Sequence, residues 1–207
     1  MKKRTMEHIL IFDLGGVLMQ HDMAGCIAAF TRLMGAEAMQ QVLGLCPNGE
    51  GVDGSLMDRF ECGMVDEQEF VDTLLSVSRP GTTAEDIVAA WNTMHAGIPL
   101  ERLERIREWQ QEGNHILLLS NNNALHYRDV MDHYDMSMFD YCFASHLVHV
   151  RKPDAGIFAH VQQFIDSQPW SGLPICFVDD LAANRVAAEA FGWRTFPDID
   201  SLVNYHL

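Results

Sequence analysis

The chain has 207 residues, 48% hydrophobic and 21% charged, the composition of an ordinary globular protein with room for one domain plus an insertion, or for two small domains. Its 14 Lys and Arg stand against 29 Asp and Glu, a formal charge of −15. That balance argues against nucleic-acid partners, and an anionic substrate would need a metal or a local lysine to reverse the field.

No apolar run approaches a membrane span. The basic start Met1-Lys2-Lys3-Arg4 precedes too short an apolar stretch, interrupted by Asp13, to act as a signal peptide. Five cysteines (Cys26, Cys46, Cys62, Cys142, Cys176) are odd in number and lack C-x-x-C spacing, so free thiols in a reducing cytoplasm are expected. Cys176 reads as a small core residue. The sequence carries no information on oligomeric state.

The first strand is expected at His8–Phe12 and stops on Asp13, followed by Leu14-Gly15-Gly16-Val17. An ionised Asp is costly to bury without a partner. Two glycines let the backbone turn sharply and approach whatever the carboxylate faces. In an open α/β sheet, ligands bind at the carboxyl ends of the strands. Asp13 therefore reads as a nucleophile or a metal ligand.

Roughly a hundred residues separate this strand from the next, too many for one crossover, and their pattern is helical. Met23, Ile27, Phe30 and Met34 fall at helical spacing after Asp22, a candidate N-cap. Asp66 with Glu69 resembles a capping box before Phe70, Leu74 and Leu75, and Ile87, Trp91 and Met94 follow Thr82-Thr83. A Gly- and Pro-rich loop, Pro47 to Gly54, divides the region. Residues 21–96 are thus expected to form a helical cap domain inserted into a core made of 1–20 and 97–207.

Further strands are expected at His115–Leu119, Tyr141–Ala144, Ile175–Val178 and Arg194–Phe196, several of them apolar without alternation, as in parallel strands covered on both faces. Helical patterns separate them: Pro99 to Glu112 ending at Gly113, Asp154 to Asp166, and Ala182 to Phe191 ending at Gly192. The fold class is α/β, a doubly wound, Rossmann-like parallel sheet. Its strand ends bring Asp13, Ser120-Asn121-Asn122-Asn123, Arg151-Lys152-Pro153-Asp154 and Asp179-Asp180 to one side of the sheet. Three carboxylates facing one lysine repel without a divalent ion, and a hard oxygen site of this kind suits Mg²⁺.

This ordered set resembles the haloacid dehalogenase-like (HAD) hydrolase superfamily. The matching motifs are Phe-Asp-Leu-Gly-Gly-Val-Leu at 12–18, Leu-Ser-Asn at 119–121, Arg-Lys-Pro-Asp at 151–154 and Val-Asp-Asp-Leu-Ala-Ala-Asn at 178–184. The likeness is greatest to the branch holding α-D-glucose-1-phosphate phosphatase and the N-terminal phosphatase domain of soluble epoxide hydrolase. The segment Glu61 to Phe70 is similar to that branch's helical cap.

By this resemblance Asp13 is the nucleophile, forming an aspartyl-phosphate. Mg²⁺ is held by Asp13, the Gly15 carbonyl and Asp180, with Asp179 a further ligand or one shell behind. Ser120, Asn121 and Lys152 hold the phosphoryl oxygens, Lys152 also neutralising the nucleophile, and Asn184 orders the acidic loop. The implied reaction is hydrolysis of a small phosphate monoester, such as a hexose 1-phosphate.

One departure stands out. The superfamily's phosphatases mostly carry a second Asp two residues after the nucleophile as general acid and base, and here that position is Gly15. The loss favours esters with a good leaving oxygen, and His21 or Asp22 is a candidate substitute. Two other functions fit the motifs: a metal-free 2-haloacid dehalogenase, and a catalytically impaired phosphometabolite-binding protein. His146 and His149 are expected in an exposed loop. The methionines Met23, Met34, Met39, Met57 and Met64 are expected mostly in core, some lining the cap's substrate face.

Overall fold

The computed structural model describes residues 7–44 and 54–205. Cys46 and all but the last residue of the Pro47–Gly54 loop lie outside them. Strand β1 (Ile9–Phe12) enters a short β2 (Gln20–His21), which leads into helices α1 (Met23–Met34), α2 (Ala36–Leu43), α3 (Leu56–Glu61), α4 (Glu67–Ser76) and α5 (Ala84–Asn92). The chain returns through β3 (His95–Gly97). It then alternates: α6 (Leu100–Gln111), β4 (His115–Ser120), α7 (Ala124–His133), β5 (Tyr141–Ala144), α8 (Ser145–Val148), α9 (Ala155–Asp166), β6 (Ile175–Val178), α10 (Ala182–Glu189), β7 (Arg194–Phe196) and α11 (Ile199–Asn204).

The five-stranded sheet runs β5-β4-β1-β6-β7, every pair parallel. This is the expected doubly wound sheet, with β1 at its centre. All four residues of β1 are fully buried because both faces are covered. Leu10 and Phe12 pack with Leu103, Ile106, Trp109 and Leu202 on one side, while Ile9 and Ile11 pack with Ile157, Phe158, Val161 and Ile165 on the other. A strand with water on neither face has no need of polar alternation.

The inserted helices share a second apolar cluster, built on Phe30, Phe60, Phe70, Leu74, Ile87 and Trp91. Phe60 and Phe70 stack with ring centroids 4.1 Å apart. The ends of these helices follow the sequence signals with one exchange. Asp66 caps α4 through the Glu69 amide (2.8 Å), but the Glu69 carboxylate reaches Arg59 (3.4 Å) instead of returning to the cap. The reciprocal capping box sits on α5, between Thr83 and Asp86.

The antiparallel ribbon β2–β3, which carries the chain out to these helices and back, was not foreseen. Segments of two and three residues are too short to show a period. Trp91 and Leu125 tie the inserted helices to the sheet domain: Leu125, from α7, belongs to the second cluster, and Trp91 Nε1 donates to Asn123 Oδ1 at 3.2 Å. Trp91→Ala should therefore destabilise the protein by about 3–5 kcal/mol, read as a lower urea midpoint at unchanged slope.

Candidate active site

The register of the central strands decides the chemistry. Phe12 pairs with Val178 on one side and with Leu118 on the other. One step further along, Asp13 lies beside Asp179, and the ladder continues with the Asp13 amide donating to the Val178 carbonyl (2.9 Å). Adjacent strands lie about 4.8 Å apart, so the two carboxylates are held side by side. Asp13 is 7% exposed and Asp179 0%.

Lys152 fills the gap between them. Its Nζ donates to Asp13 Oδ1 (2.9 Å), Asp179 Oδ2 (2.6 Å) and the Leu119 carbonyl (2.9 Å), which accounts for all three ammonium protons. Burial alone would lower the lysine's pKa, but the two carboxylates outweigh it and hold it above its ordinary value, so it stays charged. Asp13 goes the other way. Burial pushes its pKa up to about 7, against the pull of Lys152 and with the repulsion of Asp179 adding to the rise.

The two acidic neighbours have different work. Asp179 is saturated: Oδ1 accepts from the Leu181 amide (2.9 Å) and Asn184 Nδ2 (3.0 Å), Oδ2 from Lys152 and again from Asn184 (3.0 Å). It holds Lys152 in place, and Asn184 orders it, as expected. Asp180 is exposed, and no other described residue donates a hydrogen bond to its carboxylate. Carboxylate oxygens of Asp13, Asp179 and Asp180 all lie within 4.8 Å of one another. Gly16 makes the approach possible, since at φ +73° a Cβ there would run into the Asp180 carboxylate.

A hard divalent cation fits this donor set. Asp13 uses Oδ1 for Lys152 and for the Leu14 amide (2.7 Å), leaving Oδ2 without a partner among the described residues. Two incompletely satisfied carboxylates beside a third lack only positive charge. The same charge would return Asp13 to its ionised form at neutral pH.

The other expected residues gather here in altered roles. Ser120 is buried at the end of β4 and lines the cavity with Asn121. The Asn121 side chain is committed to the Lys152 backbone, accepting from its amide (2.8 Å) and donating to its carbonyl (2.9 Å). It clamps the lysine loop and leaves only its own amide for a ligand.

Asn122, one of the expected strand-end amides, lines the cavity of about 310 Å³, as do Glu61, Arg151 and the histidines His95 and His126, to which the sequence assigns no role. Arg151 pairs with Asp58 (2.7 Å) and Glu61 (3.0 Å) of α3, drawing the inserted helices over the strand ends. The Arg-Lys doublet was the one available signal for it. His126 is neutral, its pKa lowered to about 3 by burial first and by His95 next. Its ring nitrogens are used by Asn123 (3.3 Å) and the Trp91 carbonyl (3.1 Å).

Two expectations need correction. His146 sits in α8, half-buried, with Nδ1 on the Asn122 carbonyl (3.1 Å), so it is not an exposed loop residue. His149 is exposed, but its Nδ1 meets the Cys62 carbonyl (3.2 Å), and both histidines belong to the seam with the inserted helices. Asp22 caps α1 through the Gly25 amide (2.7 Å) and does not line the cavity, whereas His21 does. The methionines divide: Met34 and Met39 are buried in the helical cluster, Met64 is exposed, and Met23, Met57 and Met94 line the cavity.

No family model matches the chain. It is 28% identical over 195 residues to the sesquiterpene phosphatase astK of Aspergillus oryzae, covering 93% of this chain and 90% of that protein. A variant of the HAD family enzyme BT-2542 of Bacteroides thetaiotaomicron, solved with magnesium and inorganic phosphate, superposes with a TM-score of 0.79. The two are 25% identical over 92% of this chain and 93% of that one. In sequence and in fold the chain is thus similar to enzymes of the haloacid dehalogenase-like superfamily. A predicted HAD-like family hydrolase of Porphyromonas gingivalis has the same fold, with a TM-score of 0.79 at 24% identity over 97% and 98% of the two chains. In this protein the four sequence motifs are thus one cluster around Lys152.

Replacing Lys152 with Met should cost about 3–5 kcal/mol, because two buried carboxylates lose their shared cation. Thermal unfolding should show the loss, and a divalent salt should restore part of it in the variant.

Proposed function

We propose that this protein is a Mg²⁺-dependent phosphatase of small phosphate monoesters, acting through an aspartyl-phosphate on Asp13. The observation that carries the reading is the Asp13–Lys152–Asp179 cluster, with Asp13 Oδ2 unengaged at the floor of the cavity. Asp13 Oδ2 attacks phosphorus, and water then hydrolyses the acyl phosphate. Lys152 favours the ionised nucleophile and offsets phosphoryl charge. Ser120 Oγ and the Asn121 amide hold phosphoryl oxygens, while the Asn121 side chain fixes the Lys152 loop. Asp13, the Gly15 carbonyl and Asp180 would hold Mg²⁺, which would supply positive charge to the transferring group; Asp179 acts from behind through Lys152.

The helices of 21–96 form a cap that closes the cavity and selects the leaving group. A hexose 1-phosphate suits the absence of an acidic side chain at Gly15, since its anomeric oxygen leaves comparatively well. A second reading, a phosphate ester of an apolar alcohol, is favoured by the thioethers of Met23, Met57 and Met94 on the cavity wall and agrees with the name of the Aspergillus relative. A metal-free dehalogenase is disfavoured, because three carboxylates converge on one lysine and, without a divalent ion, would repel an anionic haloacid.

No helix among the described residues is long and apolar enough to cross a membrane. The free thiols Cys26, Cys62, Cys142 and Cys176 agree with a cytoplasmic location.

With Mg²⁺, wild-type protein should hydrolyse p-nitrophenyl phosphate, and Asp13→Asn should abolish turnover while leaving the fold intact by circular dichroism. Persistent activity in the variant would refute the nucleophile. EDTA should remove activity, and halide release from a 2-haloacid in EDTA would favour the dehalogenase instead. Comparing glucose 1-phosphate with a prenyl phosphate by kcat/KM decides between the two leaving groups.

A further inference from the structure

Gly15 leaves an opening in the cavity wall beside Asp13, and the imidazole of His21 stands in it. A Cβ on residue 15 would lie 2.6 Å from His21 Nε2 and closer still to Cε1. The ring is therefore seated against the backbone that turns immediately after the nucleophile. The ribbon puts it there, pairing His21 with His95 across two antiparallel strands. His95 is itself anchored, with Nδ1 on Asp129 (2.8 Å) and its ring 4.1 Å from that of His126.

The three imidazoles lining the cavity differ in one respect. Both nitrogens of His126 and one of His95 are committed to protein partners. Neither nitrogen of His21 has a hydrogen-bond partner among the described residues. An exposed imidazole with unused hydrogen-bonding capacity, lining a cavity shared with Asp13, Ser120 and Asp180, is free to meet a ligand.

We propose that His21 is the leaving-group contact of this enzyme, donating a ring N–H hydrogen bond to the bridging ester oxygen. The proposal rests on the phosphatase reading above and adds the residue that stands in for a side chain at Gly15. An imidazole carries at least one N–H whatever its charge, so the role does not depend on its protonation state. As Asp13 Oδ2 bonds to phosphorus, the bond from phosphorus to the bridging oxygen breaks and its electron pair passes to that oxygen. The leaving oxygen takes a proton from solvent water, and the His21 N–H stabilises the charge that develops before it does so.

A contact of this kind matters most where the leaving oxygen is most basic. The test compares wild type, His21→Ala and His21→Gln, with Mg²⁺, on p-nitrophenyl phosphate and on an alkyl phosphate. His21→Ala should lose about ten- to a hundredfold in kcat on the alkyl ester, with KM little changed and a much smaller loss on the aryl ester. His21→Gln, which keeps an N–H donor, should recover part of the alkyl activity. Inhibition by inorganic phosphate should be the same in all three proteins. Equal losses on the two esters, or no loss on the alkyl ester, overturn the proposal and leave the phosphatase reading standing. A wild type inert on both overturns the phosphatase reading and this proposal with it.

Discussion

Two carboxylates on neighbouring parallel strands, in register and nearly dry, are the constraint around which this molecule is organised. Asp13 and Asp179 cannot move apart without breaking the ladder between β1 and β6, and they cannot both ionise there without a cation. Lys152 supplies one charge, with every proton directed. One ammonium against three nearby acidic groups is not neutrality, and burial first, with the repulsion of Asp179 behind it, holds Asp13 near 7. A site left short of positive charge in this way is prepared for a divalent ion and for a phosphoryl group brought in with it.

The second layer of the site consists of residues that hold other residues. Asn184 spans both oxygens of Asp179, and Asn121 brackets the Lys152 backbone from both sides. These amides fix the lysine to within the tolerance that electrostatic positioning demands. Over them lie the inserted helices, drawn down by Arg151 on Asp58 and Glu61, by Arg128 on Glu67 (2.7 and 2.9 Å), and by Trp91 on Asn123. The cavity is therefore floored by the sheet and walled by the helices, so its two ends are shaped by different parts of the chain.

Much of the fold was legible in the sequence because its signals are local. The strands fell where apolar runs stop at polar residues, and α1, α4 and α9 began at Asp22, Asp66 and Asp154, each accepting a hydrogen bond from its own first turn. Asp13, Ser120, Lys152 and Asp179 were legible as strand-end residues, since a parallel sheet puts such ends on one side. Glu61 and Arg151 were hidden because an ion pair ninety positions apart in sequence leaves no periodic trace. The bracing of the lysine loop by the Asn121 side chain and the seat of His146 were hidden for the same reason: a polar side chain near a strand end reads equally well as ligand contact, cap or loop brace.

The sequence by itself determined the doubly wound sheet, the helical insertion after the first strand, and the set of groups available for chemistry, because hydrophobic period and strand-end polarity are written residue by residue. Only the tertiary structure decided how those groups divide the work. The register of β1 against β6 set Asp13 beside Asp179, the saturation of Asp179 left the open position to Asp180, and the return of the chain through β2 and β3 brought His21 against Gly15. Those are distances between segments far apart in the chain, and no one-dimensional pattern encodes a distance.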